Sequence, residues 1–503
     1  MKTLLCDCVL PLSGGTKFCV EGERFVPALP PFDEVRRLDG ACVLPAFPDA
    51  HSHLLAYALS LLQPDGSGLL SAEEFVAAAE AFAARRGIPP HAPVTIKNAR
   101  VLPGGAPFER HPRPLHVQAR SGHAGAFNAA ARALLGEGCA ARMEERAYLA
   151  AVQRLPMPED GDVLRAFCEA QNDYLAHGMT VAQEGILQPA MFPLYEMLLR
   201  EDAVRLDVAA YTAPDDFAAA RARFAGAEHL KICGMKLFLD GSPQQRTAFL
   251  RAPYTGGGNG APLMTKEEVL AACRAAAKEG AQLLAHCNGD GAAAIFLSAL
   301  AHMEERERRA IRPVLVHGQI LGEDQLRECR RLGVIPSFFP AHVLYWGEEH
   351  LKNLGEERAK RISPAGSALA LGIPFTLHQD APVCPPDPLE AARCAVLRTT
   401  SAGNVFREEA IGARDALRAL TEHAAAQYGF SRLGRIAAGY YADFVILEGD
   451  PLRDIASARV KETYLRGKRC YPAHPSFRTE TKASVRNPPA PVTCREIPHI
   501  RSG

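Results

Sequence analysis

The sequence predicts an α/β protein whose main part is a (β/α)8 barrel. The first observation is a regular alternation of helical stretches and short apolar runs past about residue 160. The second is that about eight such runs are found once the run that ends near residue 47 is included, and eight parallel strands close a barrel. The third is that polar residues able to bind metal stand at the ends of several of these runs.

The eight predicted strands are short, and most are separated by stretches with the composition of a helix. This alternation is typical of parallel strands joined by crossover helices. In chain order the predicted strands are VLPAF, TVAQE, LDVAAY, MKLFLD, QLLAH, PVLVH, VIPSFF and IPFTLH.

The barrel is expected over residues 42–428, with a long insertion at about 56–160. An insertion of this length exceeds a single crossover connection, so it should form a lid or subdomain near the barrel mouth. The run PLHVQ at 114–118 is assigned to this insertion and not to the barrel.

Both ends of the chain flank the predicted barrel. The stretch GRIAAGYYADFVILEGDPL is rich in β-forming residues and punctuated by glycine, unlike the barrel repeat. We therefore expect residues 1–41 and 429–475 to form one small composite β-sandwich domain, in which the first 40 residues pair with the C-terminal part. Residues 476–503 are polar and contain proline, which predicts a tail.

The composition of the 503-residue chain limits its partners. Lys plus Arg and Asp plus Glu number 57 each, so charge gives no reason to expect a nucleic acid or a membrane surface. A small, fairly neutral substrate fits better, and a homodimer stays open. The start MKTLLCDCVLPLSGG has no signal-peptide pattern, and no run reaches the roughly 18–20 apolar residues of a membrane span. We expect a cytoplasmic protein with mostly reduced thiols among its 14 cysteines.

Cysteines near the start offer one candidate metal site. Cys6 and Cys8 are one residue apart on a β-like stretch and could bind a metal ion. Two cysteines in such a position are more often plain thiols, and this is the reading we favour.

The most informative motif is FPDAHSHL, in which His51 and His53 are separated by one residue. Alternate residues of a strand face the same side, about 6–7 Å apart, so the two imidazoles could hold one metal ion. His-x-His also occurs by chance in surface loops. Here it follows a buried strand at the carboxyl end, where α/β barrels place their chemistry.

Four more residues of suitable chemistry stand in or just after later strands, namely Lys236, His286, His317 and Asp380. Each has a structural alternative: a buried polar histidine, an aspartate that begins a turn, or a lysine that extends to solvent. A barrel gathers its strand ends around one cavity, and six such residues would rarely meet there by chance. Imidazole and carboxylate ligands together favour zinc or a similar divalent ion.

On these motifs the chain resembles the amidohydrolase superfamily, and more narrowly its amidohydrolase-3 branch. The motifs are FPDAHSHL, GMKLFLDGS, AHCNGDGA, LVHGQI and HQDAPV, with SGHAGAFNAAARALLG in the insertion and GRIAAGYYADFVILEGDPL near the end.

The resemblance implies a metallo-hydrolase barrel with one or two divalent ions, most often zinc. It implies that His51, His53 and Asp380 hold one ion and that His286 and His317 hold the other. Lys236 would bridge the two ions as an N-carboxylated lysine. Since some members do not modify this residue, one ion with an unmodified lysine is the alternative.

The implied activity is metal-dependent hydrolysis of a carbon–nitrogen, non-peptide bond in a small molecule, with Asp380 as general base and acid. A deaminase of a heterocyclic amine is the alternative, although HCNGDG lacks the glutamate usual in such enzymes. A homologue that binds without catalysis is a third reading, and the complete ligand set argues against it.

Weaker candidates surround this set. Asp240 and Asp290 follow metal-bearing strands and could orient a ligand or simply cap a turn. Residues that could face the substrate, or be plain structural residues of loops, are His123, Glu184, Arg246, His342, Tyr345 and Trp346.

Overall fold

The computed structural model describes residues 1–119, 124–156 and 158–472. The chain divides into two compact units: one spans Tyr57–Phe167, and the other contains Met1–Ala56 together with the chain from Cys168 onward. The predicted tail at 476–503 lies outside the described residues.

Strands and helices alternate over most of the larger unit. The strands of the described chain are β1 (Lys2–Val9), β2 (Lys17–Glu21), β3 (Arg24–Val26), β4 (Glu34–Pro45), β5 (Phe47–Pro48), β6 (Val94–Ala99), β7 (Leu115–Ala119), β8 (Ala124–Phe127), β9 (Arg142–Glu144), β10 (Met179–Glu184), β11 (Asp207–Thr212), β12 (Leu230–Phe238), β13 (Gln282–Cys287), β14 (Val314–His317), β15 (Ile335–Phe338), β16 (Thr376–Leu377), β17 (Phe444–Glu448), β18 (Arg459–Leu465) and β19 (Lys468–Tyr471). The helices are α1 (Leu54–Ser60), α2 (Ala72–Arg86), α3 (Ala106–Glu109), α4 (Ala129–Leu135), α5 (Glu145–Val152), α6 (Asp160–Ala176), α7 (Phe192–Arg200), α8 (Phe217–Arg223), α9 (Lys266–Glu279), α10 (Asp290–Ala301), α11 (Glu305–Ile311), α12 (Glu323–Leu332), α13 (Ala341–Leu354), α14 (Glu356–Lys360), α15 (Ala365–Ala370), α16 (Pro388–Leu397), α17 (Ala413–Leu420) and α18 (Glu422–Tyr428).

Eight parallel strands form one curled sheet in the order β16-β15-β14-β13-β12-β11-β10-β5. Each predicted barrel strand contributes to it, and the mixed α/β architecture is that of a TIM-like barrel. Beyond the short end strands β5 and β16, backbone hydrogen bonds join the two edges. The Asp380 N–H donates to the His51 carbonyl at 3.2 Å, and the His53 N–H donates to the Ala381 carbonyl at 2.8 Å.

The first predicted strand is divided between two sheets. Its residues 43–45 end β4 and pair antiparallel with β17, whereas only Phe47 and Pro48 pair with the barrel strand β10. The chain changes sheet at Ala46, whose N–H donates to the Asp443 carbonyl at 3.0 Å. The apolar sequence of this run does not reveal the division, because the residues that join either sheet are buried.

Local sequence signals explain why the crossover helices begin and end where they do. In α9 the Thr265 hydroxyl accepts the Glu268 N–H at 3.3 Å, and the Glu268 carboxylate accepts the Thr265 N–H at 2.7 Å. This capping box satisfies backbone donors of the first turn. The helix ends at Gly280, whose φ of 63° is a left-handed conformation that glycine adopts without strain.

Both chain ends contribute to a second sheet, with the order β19-β18-β17-β4-β1-β2-β3. The antiparallel pair of β4 and β17 joins the N-terminal strands to the C-terminal ones. The rings of Phe18, Phe25, Phe444 and Tyr464 pack in its core. The predicted two-layered sandwich is not confirmed, because the strands described at both ends belong to this one sheet.

The unit Tyr57–Phe167 has a sheet of its own, in the order β6-β7-β8-β9. The predicted run PLHVQ corresponds to β7, which lies parallel to β6 and antiparallel to β8. Apolar side chains of α2 and β6, among them Phe75, Phe82 and Ile96, form its core. This burial gives the unit a hydrophobic core of its own.

The described cysteines are all free. Cys6 is partly exposed, whereas burial raises the pKa of the Cys8 thiol to about 11, which keeps it protonated and disfavours metal binding. None of the helices in the described ranges is both long enough and apolar enough to cross a membrane.

A buried ion-pair network links the barrel to the second sheet. The guanidinium of Arg466, which is 2% exposed, donates to the carboxylates of Asp207 at the start of β11 and of Asp443 before β17. The Asp207 contact is 2.8 Å, and the guanidinium also lies 3.9 Å from the ring centre of Tyr441. One guanidinium therefore supplies compensating charge to two buried carboxylates, and Asp207 also lies 3.2 Å from the Nδ1 of His229.

Replacing Arg466 with alanine should lower the free energy of unfolding by roughly 3–5 kcal/mol, because both carboxylates would stay buried without the guanidinium charge. Asp207 would keep its contact with His229, and Asp443 would keep the backbone N–H of residue 466. Denaturant unfolding of the purified protein measures this change. Arg309→Ala is the control, since the Arg309–Glu305 pair is exposed and should change stability by no more than about 0.5 kcal/mol. A loss below about 1 kcal/mol for Arg466→Ala would contradict the network's importance.

Candidate metal centre

Six side chains predicted to bind metal lie together at the carboxyl end of the barrel strands. His51 and His53 follow β5 and Asp380 follows β16, whereas Lys236, His286 and His317 belong to β12, β13 and β14. Each of the six has an atom within 4.0 Å of another member of the set.

His51, His53 and Asp380 form a candidate metal site. Their ligand atoms all lie within 4.8 Å of one another. The Oδ1 of Asp380 is 3.5 Å from the Nε2 atoms of both His51 and His53. This oxygen is buried and has no hydrogen-bond partner among the described residues. An unpaired buried oxygen facing two imidazole nitrogens is the donor set that a divalent ion such as zinc takes.

The other three residues lie directly beside this site. Lys236, which is 2% exposed, has its Nζ 3.2 Å from the Nε2 of His51. The Nε2 of His317 is 3.1 Å from the Nδ1 of His286 and 3.9 Å from the Oδ2 of Asp380. The set is therefore continuous, with the carboxylate of Asp380 next to both histidine pairs.

Burial keeps these histidines neutral. Loss of solvation, with the charge of Lys236 acting in the same direction, lowers the pKa of His53 to about 3 and of His286 to about 4. Burial also lowers the pKa of Lys236 and raises that of Asp380, while each opposes the shift of the other. Neutral imidazole is the form that binds metal, because its unprotonated nitrogen carries a lone pair.

A hydrogen-bond acceptor lies beside one ring nitrogen of His51 and one of His286. The Nδ1 of His51 lies 2.5 Å from the Oε1 of Gln183, whose amide nitrogen donates to the Ala50 carbonyl, so its oxygen faces the imidazole. The Nε2 of His286 lies 3.1 Å from the Gly241 carbonyl and also 3.1 Å from the amide nitrogen of Asn288, which itself donates to that carbonyl. Protons directed at the two acceptors would leave the opposite nitrogens of His51 and His286 free to bind metal.

His317 is supported by a residue to which the sequence motifs gave no role. Its Nδ1 is 3.1 Å from the Nε2 of His378, and the Nδ1 of His378 is 2.9 Å from the Ser337 hydroxyl. His378 is 2% exposed and therefore needs these partners. Its one available signal was its position two residues before Asp380 at the end of β16; Gln183, next to Glu184, had none.

Two members of the set have strained backbones. His317 has a φ of 75° and Asp380 a φ of 55°, both in the left-handed region that residues other than glycine rarely adopt. Such conformations cost about 1–3 kcal/mol each and persist where the surroundings impose them. Both residues stand where a barrel strand ends, and their side chains lie 3.9 Å apart in the candidate centre.

Asp240 and Asp290 have different roles in the structure. The carboxylate of Asp240 accepts the backbone N–H groups of Asn288 at 2.9 Å and of Gly289 at 2.7 Å, and lies 3.5 Å from the Nε2 of His286. It thus supports both a loop and the imidazole of His286. Asp290 instead accepts the backbone N–H of Arg251 at 2.9 Å, which is a structural role.

Glu184 ends β10 and is fully buried against His53, with 4.0 Å between its Oε1 and the Nδ1 of the imidazole. Burial raises the pKa of its carboxyl to about 7. It therefore lies beside the ligand set.

The remaining described candidates are involved in other contacts. Arg246 donates to the carbonyls of Thr255 and Gly257, which holds its own loop. The Nδ1 of His342 is 3.1 Å from His350. Tyr345 donates to Glu390, and Trp346 packs against Phe339 and His342 at a kink in α13. His123 lies outside the described residues.

The profile of the amidohydrolase family matches residues 34–471. The chain belongs to this family. It is 29% identical over 254 residues to amidohydrolase YtcJ of Bacillus subtilis (strain 168), an alignment covering 48% of each chain. It is 31% identical over 206 residues to the N-substituted formamide deformylase of Arthrobacter pascens, which covers 40% of this chain and 38% of the relative. The aligned segments thus span about half or less of the curated relatives' length.

Solved structures agree in fold. An uncharacterized metal-dependent hydrolase from Pyrococcus furiosus superposes with a TM-score of 0.75 at 23% identity, over 90% of this chain and 100% of that chain. A second one, from Pyrococcus horikoshii, gives a TM-score of 0.76 at 22% identity, over 90% and 98% of the two chains. At this identity the likeness concerns the fold alone.

The purified protein should contain about one to two divalent ions per chain, because imidazole and carboxylate donors converge at one end of the barrel. His51→Ala should lower the metal content and the hydrolytic activity together, while His302→Ala, at an exposed histidine, should change neither. Elemental analysis of protein grown with added metal measures this. Less than about 0.2 ion per chain in the unaltered protein would contradict the assignment.

Proposed function

We propose that this member of the amidohydrolase family is a metal-dependent hydrolase that cleaves an amide-type carbon–nitrogen bond in a small molecule. The observation that carries the proposal is the convergence of the Asp380 Oδ1 with the Nε2 atoms of His51 and His53. Neutral, oriented imidazoles and an unpaired carboxylate oxygen suit a divalent ion.

We assign His51, His53 and Asp380 to one ion, and His286 and His317 to a second ion where two are bound. Zinc fits the donor types best. When bound, such an ion acts as a Lewis acid towards a water molecule and the scissile carbonyl. An N-carboxylated Lys236 would supply an anionic oxygen between the two pairs, whereas an unmodified Lys236 would leave one ion.

Asp380 is the residue that we assign to proton transfer. Its carboxylate takes a proton from the attacking water as the water oxygen bonds to the carbonyl carbon. It returns this proton to the nitrogen as the carbon–nitrogen bond breaks, so the products are a carboxylic acid and an amine. Burial raises the pKa of Asp380, which makes the carboxylate a stronger base than one in water.

The residues around the centre favour an uncharged substrate with an apolar group. Phe238 is 39% exposed, although its ring centre is 5.6 Å from that of His286. Val383, three residues beyond Asp380, is 51% exposed. Because Arg246 already donates to carbonyls of its own loop, it offers little to an anionic substrate. The name of the Arthrobacter relative, a deformylase of N-substituted formamides, supports the amide class.

Asp380→Asn should lower kcat by roughly 10²–10⁴, because the amide keeps one oxygen as a ligand but cannot accept the proton. Metal content should largely remain, as elemental analysis would show. Asp324→Asn, at an exposed carboxylate that pairs with Arg251, is the control and should leave turnover unchanged. Near-normal hydrolysis by Asp380→Asn would assign the base elsewhere, with Glu184 the next candidate.

A panel of N-acyl amines, formamides, cyclic amides and aminated heterocycles, assayed with metal-reconstituted protein, tests the substrate class. We expect turnover of uncharged amides that chelation abolishes. Phe238→Ala should raise KM about tenfold for amides with an apolar substituent and leave kcat nearly unchanged, because it removes binding shared by ground and transition states. Turnover of the aminated heterocycles alone would instead identify a deaminase.

A further inference from the structure

Glu184 is a buried carboxyl group with one oxygen anchored and the other free. Its Oε2 accepts the Leu55 N–H at 2.9 Å and the Tyr195 hydroxyl at 2.7 Å. Its Oε1 is buried and has no hydrogen-bond partner within the described ranges. Since an unpaired buried carboxylate oxygen costs several kcal/mol, its retention calls for a reason beyond packing.

The histidines of the metal centre provide that reason. His51, His286 and His317 each place their non-ligand nitrogen within 3.1 Å of a hydrogen-bond acceptor. His53 is the exception: its Nδ1 makes no hydrogen bond to a described residue, and the free Oε1 of Glu184 lies 4.0 Å from it. This separation exceeds a hydrogen bond by about 1 Å, which a small side-chain rotation can remove.

We propose that Glu184 is the positioning residue for His53: its Oε1 accepts the Nδ1 proton and so leaves the Nε2 lone pair to bind metal beside Asp380. This inference rests on the proposed metal-dependent function. Glu184 acts through the imidazole and not as a ligand itself, which makes the carboxylate, imidazole and ion one connected series.

Glu184→Gln tests this because the orientation of the new amide is determined by its surroundings. Leu55 and Tyr195 both donate to the Oε2 position, so the amide oxygen must occupy it. The NH2 group then faces the Nδ1 of His53, which must become an acceptor, and the imidazole proton moves to Nε2, where metal should bind. A substitution that keeps size and burial thus removes one ligand nitrogen.

Metal affinity, measured by competition of zinc with a chromophoric chelator, should fall about 10–100-fold in Glu184→Gln. Glu409→Gln is the matched control: Glu409 is a buried carboxylate that accepts the Ser367 N–H at 2.7 Å, and its loss should leave zinc affinity unchanged. If the unaltered protein binds no zinc, the proposed function fails. If it binds zinc and Glu184→Gln binds equally well, only this inference fails.

A double-mutant cycle with His53→Ala separates positioning from other roles. Where His53 is absent, Glu184→Gln should cause no further loss of zinc affinity, because the two residues act in series. A further tenfold loss would overturn the proposal, since Glu184 would then bind the ion directly or support the fold. Glu184→Asp keeps a carboxylate and should retain more affinity than Glu184→Gln. If Glu184→Gln folds, a zinc affinity of Glu184→Asp as low as that of Glu184→Gln would contradict the inference. If Glu184→Gln does not fold, Glu184→Asp takes its place in the cycle.

Discussion

The need to bury several neutral imidazoles around one carboxylate dominates this structure. Removal from water keeps these histidines unprotonated at one nitrogen, but the other nitrogen still carries an N–H that must find an acceptor. Each acceptor has to lie at the ring edge that points away from Asp380, because the other edge of the imidazole faces Asp380 or its neighbours. The residues that accept these N–H groups are therefore as constrained as the histidines themselves.

The barrel meets this requirement by using adjacent strands. Gln183 on β10 lies behind His51, which follows the neighbouring β5, and the Gly241 carbonyl after β12 lies behind His286 on β13. The approach is close enough to restrict residue size. A Cβ added to Gly185 would lie 2.8 Å from the Cε1 of His51 and 2.9 Å from the Cε1 of His53, closer than real side chains come.

The sequence predicts the strands and the candidate ligands, but not the residues that accept the imidazole N–H groups. The eight strands follow from apolar periodicity, and the candidate ligands follow from their place at strand ends, since both signals are local. Gln183 and His378 also stand near strand ends, but nothing local marks them as partners of the histidines, because that role is defined by a residue on another strand. The change of sheet at Ala46 was equally invisible, since β17, which pairs with the residues before it, lies about 400 positions later in the chain.

Lys236 shows how the charges of the centre depend on one another. Its Nζ lies 3.2 Å from the Nε2 of His51, the same nitrogen that faces Asp380. One lone pair cannot accept a lysine N–H and bind an ion together, and a cationic lysine would also repel that ion. Burial lowers the pKa of Lys236, which favours the neutral amine, and only that form reacts with carbon dioxide to give a carbamate. The burial that keeps the histidines neutral thus also favours the amine form of Lys236, the form that the carboxylation proposed above requires.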